Sequence, residues 1–261
     1  MLTQPQKDKF EREGLIRLDG FLPQDKVAAA QEFIFRLAEK EGLWHKGVWQ
    51  VEQMPNRPLF TKPMTKAELN ILMTPELLAA IDILVDGRAV EDAALKQPSL
   101  LFTPPQETEW TVPANVWHLD IPRLPIAGLL GVQVFTFLDT VIPRGGGTLV
   151  VTGSHRLLNS TGKYIRSQDV KKLLKKEAYF RDLMSKNMPN RQRFLTIPGK
   201  VGDVELCVVE LHGEPGDVFL MDLRMLHTLS PNTASIPRLM VTERYRLKSA
   251  VSQLSAWHKA R

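Results

Sequence analysis

Apolar residues recur at helical spacing early in the chain and at strand spacing later. Val27, Ala30, Phe33, Ile34 and Leu37 share one helical stripe, which predicts a helix from about Asp25 to Gly42, with the glycine as its stop. A short helix is expected from Asp8 to Gly14, then a strand over Leu15–Leu18 and a turn at Gly20-Phe21-Leu22-Pro23. Trp44 to Pro63 is irregular and rich in Trp, Pro and Asn. A second helical stretch is expected from Lys66 to Leu84, restarted at Thr74-Pro75-Glu76. From Ser99 the pattern changes to strands and turns. Strands are expected at Leu100–Phe102, Leu129–Leu138, Thr148–Val151, Val204–Leu211, Asp217–Leu223 and Arg238–Tyr245. Turns fall at Arg144–Gly147 and Gly213–Gly216, and Gly153-Ser154-His155 ends one strand. Lys163 to Ser185 reads as a helical insertion, apolar at Val170, Leu173, Leu174, Ala178, Phe180 and Leu183.

Helices come first and strands second, without regular strand–helix–strand alternation. That order predicts a mainly β fold with flanking helices, a sandwich or jelly roll. One domain is expected over residues 1–261: a helical buttress over about 1–98 and a β core over about 99–250, with a helical insertion over 160–195.

Composition changes this picture little. The chain is 43% hydrophobic and 24% charged, as expected for a protein with a sizeable core. It has no apolar run of membrane-spanning length and no apolar signal core near Met1, and its single cysteine, Cys207, excludes an intrachain disulfide. These features fit a reducing, cytoplasmic location. The formal charge of +5 raises the question of a nucleic-acid partner. Much of the excess lies in Lys163 to Arg193 at helical spacing, as on a solvated helix face, and no nucleic-acid motif accompanies it. The expected partner is therefore a small molecule, with neither nucleic acid nor membrane. The sequence assigns no oligomeric state.

The candidate chemistry centres on Trp117-His118-Leu119-Asp120. On an extended strand, residues i and i+2 point to one face, so His118 and Asp120 are placed to grip one ion. His227 follows 107 residues after Asp120 and is expected to close the apolar strand that begins at Gly216-Asp217. Two His and one carboxylate with open positions opposite form the facial triad of non-haem Fe(II) oxygenases. Each residue alone also fits a local hydrogen-bonding role. Arg238 lies 11 residues beyond His227 and opens the next strand. A hairpin between them would bring its planar fork beside the site, suited to the far carboxylate of a dicarboxylic keto acid.

Together these stretches resemble a known family. Trp117 to Asp120, Gly146-Gly147-Thr148-Leu149-Val150-Val151-Thr152-Gly153-Ser154-His155, and Gly216-Asp217 through His227 to Arg238 are similar to motifs of the phytanoyl-CoA dioxygenase family. The opening Phe10–Ile16 to Phe21-Leu22 is similar too, so the resemblance covers about Phe10 to Tyr245. It implies a double-stranded β-helix (jelly-roll, cupin-like) core and an Fe(II)- and 2-oxoglutarate-dependent dioxygenase using O2. It implies that His118, Asp120 and His227 bind iron and that Arg238 holds the distal carboxylate of 2-oxoglutarate. Related halogenases carry a small residue in place of the carboxylate, so Asp120 favours hydroxylation or another oxidation over halogenation, with release of succinate and CO2. Thr152 stands where the family often has Pro, and Gln133 where it often has a small hydroxyl residue. Gln133, Thr148 and Asn115 are further candidates for contact with 2-oxoglutarate, each equally able to be structural.

Two other readings remain open: a non-catalytic jelly-roll binding protein, and a nucleic-acid-modifying oxygenase. His155 and His212 read as turn residues, and Cys207 as a small buried hydrophobe. Trp44 and Trp49 read as an aromatic patch closing the buttress, with a substrate mouth as the alternative.

Overall fold

Two antiparallel sheets facing each other form the centre of the computed structural model, which describes residues 2–50, 67–93, 98–159 and 162–259. In chain order the elements are α1 (Gln4–Glu13), β1 (Leu15–Leu18), α2 (Gln24–Lys40), β2 (Trp44–His45), β3 (Val48–Trp49), a 3-10 segment (Ala67–Met73) and α3 (Pro75–Leu84). Then come β4 (Ser99–Thr103), β5 (Gly131–Phe137), β6 (Thr148–Thr152), α4 (Ser154–Leu157), α5 (Ser167–Leu174), α6 (Ala178–Leu183) and α7 (Arg193–Thr196). The chain closes with β7 (Gly199–Val201), β8 (Val204–Glu210), β9 (Val218–Asp222), β10 (His227–Leu229), β11 (Arg238–Arg246) and α8 (Lys248–Lys259). The major sheet has the order β1-β9-β5-β11-β4 and the minor sheet β10-β6-β8-β7. This is a double-stranded β-helix with flanking helices: of the sandwich and jelly roll that the patterning left open, the structure is the jelly roll that the family resemblance implies.

Strand alternation sorts the side chains into three layers. Phe135, Phe219, Met221 and Met240 of the major sheet meet Val150 of the minor sheet in the space between them. The other face of the major sheet, with Val132, Val134, Leu220 and Val241, packs under Ile34 of α2 and Leu77 of α3. The outer face of the minor sheet, with Leu149, Val151, Leu206 and Val208, is covered by Val170 of α5 and Phe180 of α6. Each such fully buried apolar side chain contributes about 1.5–3 kcal/mol. No helix among the described residues is long and apolar enough to cross a membrane.

Several elements differ from the sequence expectation. α1 begins earlier, at Gln4, because Thr3 and Gln6 form a capping box. The second helical stretch restarts at Thr74 as expected, the Thr74 hydroxyl accepting from Leu77 N–H, but Ala67–Met73 before it is 3-10. Trp44 to Trp49 is a small hairpin, and residues 51–63 of the irregular stretch lie outside the described residues. Phe35 stacks on Trp44 at 4.6 Å and Trp49 lies edge-on to Trp44 at 5.0 Å, so this aromatic patch closes the helical layer. The insertion is three short helices. β7, β10 and α8 are not among the elements expected from the sequence, although Ala250, Val251, Leu254 and Trp257 of α8 recur at helical spacing. His227 does not close the strand before it: β9 ends at Asp222, and His227 opens β10 in the other sheet. Arg238 and His227 therefore sit on different sheets, not on the two arms of one hairpin.

Candidate metal centre

His118 and His227 are brought together by backbone. Each donates its N–H to the other's carbonyl, at 2.9 and 3.1 Å, in an isolated antiparallel bridge. That bridge extends β10, whose His227 pairs with Val150 of β6. Asp120 is not on a strand; it lies on a bend just past the bridge. The donor atoms of His118, Asp120 and His227 lie within 4.8 Å of one another. His118 Nε2 is 3.8 Å from Asp120 Oδ1, His227 Nε2 is 3.6 Å from Oδ2, and the two imidazole centroids are 4.3 Å apart.

The two imidazoles are held alike. His118 Nδ1 faces Val116 O at 3.1 Å and His227 Nδ1 faces Met225 O at 3.0 Å, the carbonyl two residues back in each case. A carbonyl accepts only, so each Nδ1 carries the proton and each Nε2 presents a lone pair toward Asp120. Burial pushes His227 below the usual imidazole range, against the pull of Asp120, which keeps its lone pair available. Burial alone would raise the Asp120 carboxyl, but His227, Arg244 and His118 outweigh it and hold the group below its ordinary value. His227 is buried while the His118 side chain is 47% exposed, so the cluster opens on the His118 side. An anionic oxygen and two neutral imidazole nitrogens, converging with one side open, suit a divalent transition metal.

Three further candidates line the space between the sheets. Arg238 shares its face of β11 with Met240, Gln133 its face of β5 with Phe135, and Thr148 its face of β6 with Val150. Each is 2% exposed. Arg238 Nε and Nη1, Gln133 Oε1 and Thr148 Oγ1 have no hydrogen-bond partner among the described residues. Gln133 Nε2 donates to Thr242 Oγ1 at 3.2 Å. Burial pushes the Arg238 guanidinium down to about 10, which leaves it charged at neutral pH. A buried cation with unmade hydrogen bonds is costly, so these atoms fit an anionic ligand rich in acceptors. Asn115 is placed differently. It is exposed and lines a crevice with Lys171, Lys172 and Lys175 of α5. His155 is buried, with Nε2 donating to Glu11 O at 3.0 Å, and acts as a strut between α4 and α1. A groove of about 600 Å³ between α1, α3 and α4 contains none of the three cluster residues.

Two arginines central to this geometry carry no motif in the sequence. Arg244 Nε donates to Asp120 Oδ2 at 2.7 Å. Arg191 is buried, and its guanidinium donates to Val112 O, Pro113 O, Leu183 O and Ser185 O. It pins the insertion to the segment that leads into His118. The spacing of Arg244, six residues after Arg238 and on the same strand face, is the one signal that marks it inward-facing.

A jelly roll carrying this cluster, with a buried arginine between its sheets, defines the class of 2-oxoglutarate-dependent oxygenases. The sequence profile described as Phytanoyl-CoA dioxygenase (PhyH) matches residues 10–240, and the chain belongs to that family. No curated protein matches the sequence significantly. Among solved structures, EctD from S. alaskensis with bound Fe aligns at TM-score 0.56 and 16% identity, covering 95% of this chain and 78% of that one. AviO1 from Streptomyces viridochromogenes Tue57 aligns at 0.53 and 19%, covering 94% and 96%. SnoK, a non-heme alpha ketoglutarate dependent carbocyclase from nogalamycin biosynthesis, aligns at 0.50 and 18%, covering 94% and 84%. At these identities the likeness is one of fold.

Proposed function

We propose that the protein is an Fe(II)- and 2-oxoglutarate-dependent dioxygenase that hydroxylates an aliphatic C–H bond of a small organic molecule, releasing succinate and CO2. In this reading His118, Asp120 and His227 hold iron, and Arg238 takes the distal carboxylate of 2-oxoglutarate, with Thr148 and Gln133 beside it. The observation that carries it is the pairing of a His-Asp-His cluster with an inward, buried Arg238 whose Nε and Nη1 are unmatched.

Iron bound there supplies O2 activation coupled to decarboxylation of the keto acid and oxidation of the substrate. The chain's own residues do the rest. The two Nδ1–carbonyl bonds fix the ring planes so that both Nε2 atoms converge. Arg238 orients the keto acid by a charge-assisted fork. Phe135, Phe219 and Met240 keep the space between the sheets apolar and exclude water. Asp120 supplies the carboxylate ligand that a halide site would lack. The buttress, core and insertion act as one oxygenase domain: β1 is a strand of the major sheet, and Asp222 N–H donates to Gly14 O at 2.8 Å.

The test is an anaerobic titration of the metal-free protein with Fe(II) and then 2-oxoglutarate, followed by visible absorption. A charge-transfer band is expected, and Arg238→Met should weaken 2-oxoglutarate binding tenfold or more. A wild-type protein with neither the band nor iron affinity would falsify the reading and leave a non-catalytic binding protein.

A further inference from the structure

The contact between Arg244 and Asp120 has no part in the chemistry described so far. Arg244 sits within β11, paired with Gln133 of β5, so its backbone is fixed by the major sheet. Asp120 lies on a bend outside any strand. The strand-held arginine is therefore placed to set the pose of the carboxylate. The contact falls on one oxygen: Nε to Oδ2, at 2.7 Å. Oδ1 is the oxygen nearest His118 Nε2, at 3.8 Å, and Oδ2, which carries the arginine contact, is the one nearest His227 Nε2, at 3.6 Å.

A carboxylate binds a metal ion through one oxygen or through both. With two imidazoles on a six-coordinate ion, the one-oxygen mode leaves three positions and the two-oxygen mode leaves two. A chelating keto acid takes two positions, so only the one-oxygen mode keeps one for O2. We propose that Arg244 is a positioning residue that holds Asp120 in the one-oxygen mode. Its charge-assisted N–H draws on the lone pairs of Oδ2, so that the two oxygens are unequal donors and only Oδ1 is left fully free to bind the ion. This rests on the reading of His118, Asp120 and His227 as the metal site.

Co(II), a spectroscopic substitute for Fe(II), provides the test. Wild type, Arg244→Met and Arg244→Lys are titrated with Co(II), and the d–d spectrum is recorded before and after 2-oxoglutarate. The first spectrum reports how Asp120 binds, independently of any direct effect of the arginine's charge on the keto acid. Arg244→Met should change that first spectrum and weaken subsequent 2-oxoglutarate binding at least tenfold. Arg244→Lys, which restores a cationic donor, should recover most of both. If Arg244→Met does not fold, Arg244→Gln is read in the same way, with intermediate changes expected. Wild-type spectra and keto-acid affinity in the variant that folds overturn the role of Arg244 while the metal site stands. A wild type that binds no Co(II) removes the metal site and this proposal together.

Discussion

At the scale of single residues, proton position decides what the cluster can do. Both imidazoles spend Nδ1 on a carbonyl, so replacing either ring removes a nitrogen that no neighbour can supply. His118→Ala, Asp120→Ala and His227→Ala should each abolish 2-oxoglutarate-dependent turnover, read as succinate formed. His155 offers a pH signature away from the metal. Burial pushes its imidazole below the usual value, against the pull of Asp222. Its Nδ1 has no partner and faces Gly14, where even a Cβ would come within 2.5 Å. Gly14 is tied to that place by a φ of +75° at the end of α1. Because the folded-state value is depressed, the unfolded chain binds more protons below about 6.5, so stability falls as pH drops from there toward the folded value. Denaturation midpoints measured between pH 5 and 7 should rise with pH in wild type and rise less in His155→Gln, which does not titrate.

At the scale of elements, strand alternation explains most of what the sequence predicted correctly. β5, β6, β9 and β11 have β-branched and aromatic residues on both faces because each face meets a packed layer. Glycine and proline punctuation placed their ends. Short elements escaped. β10 is three residues long and exists because its backbone pairs with β6. α7 is one turn packed on β8, whereas α8, at 12 residues, is not short and follows β11 with only Leu247 between. Arg191 shows the same limit from the other side. A lone arginine in a basic stretch reads as solvated, yet its guanidinium satisfies main-chain carbonyls of two segments. Arg191→Met leaves those buried carbonyls unpaired, at about 1–3 kcal/mol each. Urea unfolding should show a loss of at least about 3 kcal/mol, together with weaker metal binding, because the segment entering His118 is released.

At the scale of the whole molecule, the cluster draws on separated parts of the chain. His227 belongs to the minor sheet, His118 bridges to it, and Asp120 is held by an arginine of the major sheet. A metal bound there ties both sheets together and favours the folded state by mass action, by about 2.7 kcal/mol at a hundredfold excess over Kd. Thermal unfolding should therefore shift upward with saturating Co(II) and return with EDTA, and the shift should vanish in His227→Ala.

The sequence by itself determined the order of helices and strands and the alternation of side chains along each strand, because spacing along a chain encodes which side chains share a face; His118, Asp120, His227 and Arg238 entered as candidates through their motifs. The tertiary structure decided what spacing cannot carry: that His227 opens a strand of the opposite sheet, that Arg238 enters from the other one, that Asn115 turns outward, and that Arg244 and Arg191 face inward. Those outcomes depend on contacts between segments far apart in the chain, where register and burial, not local pattern, choose the partner.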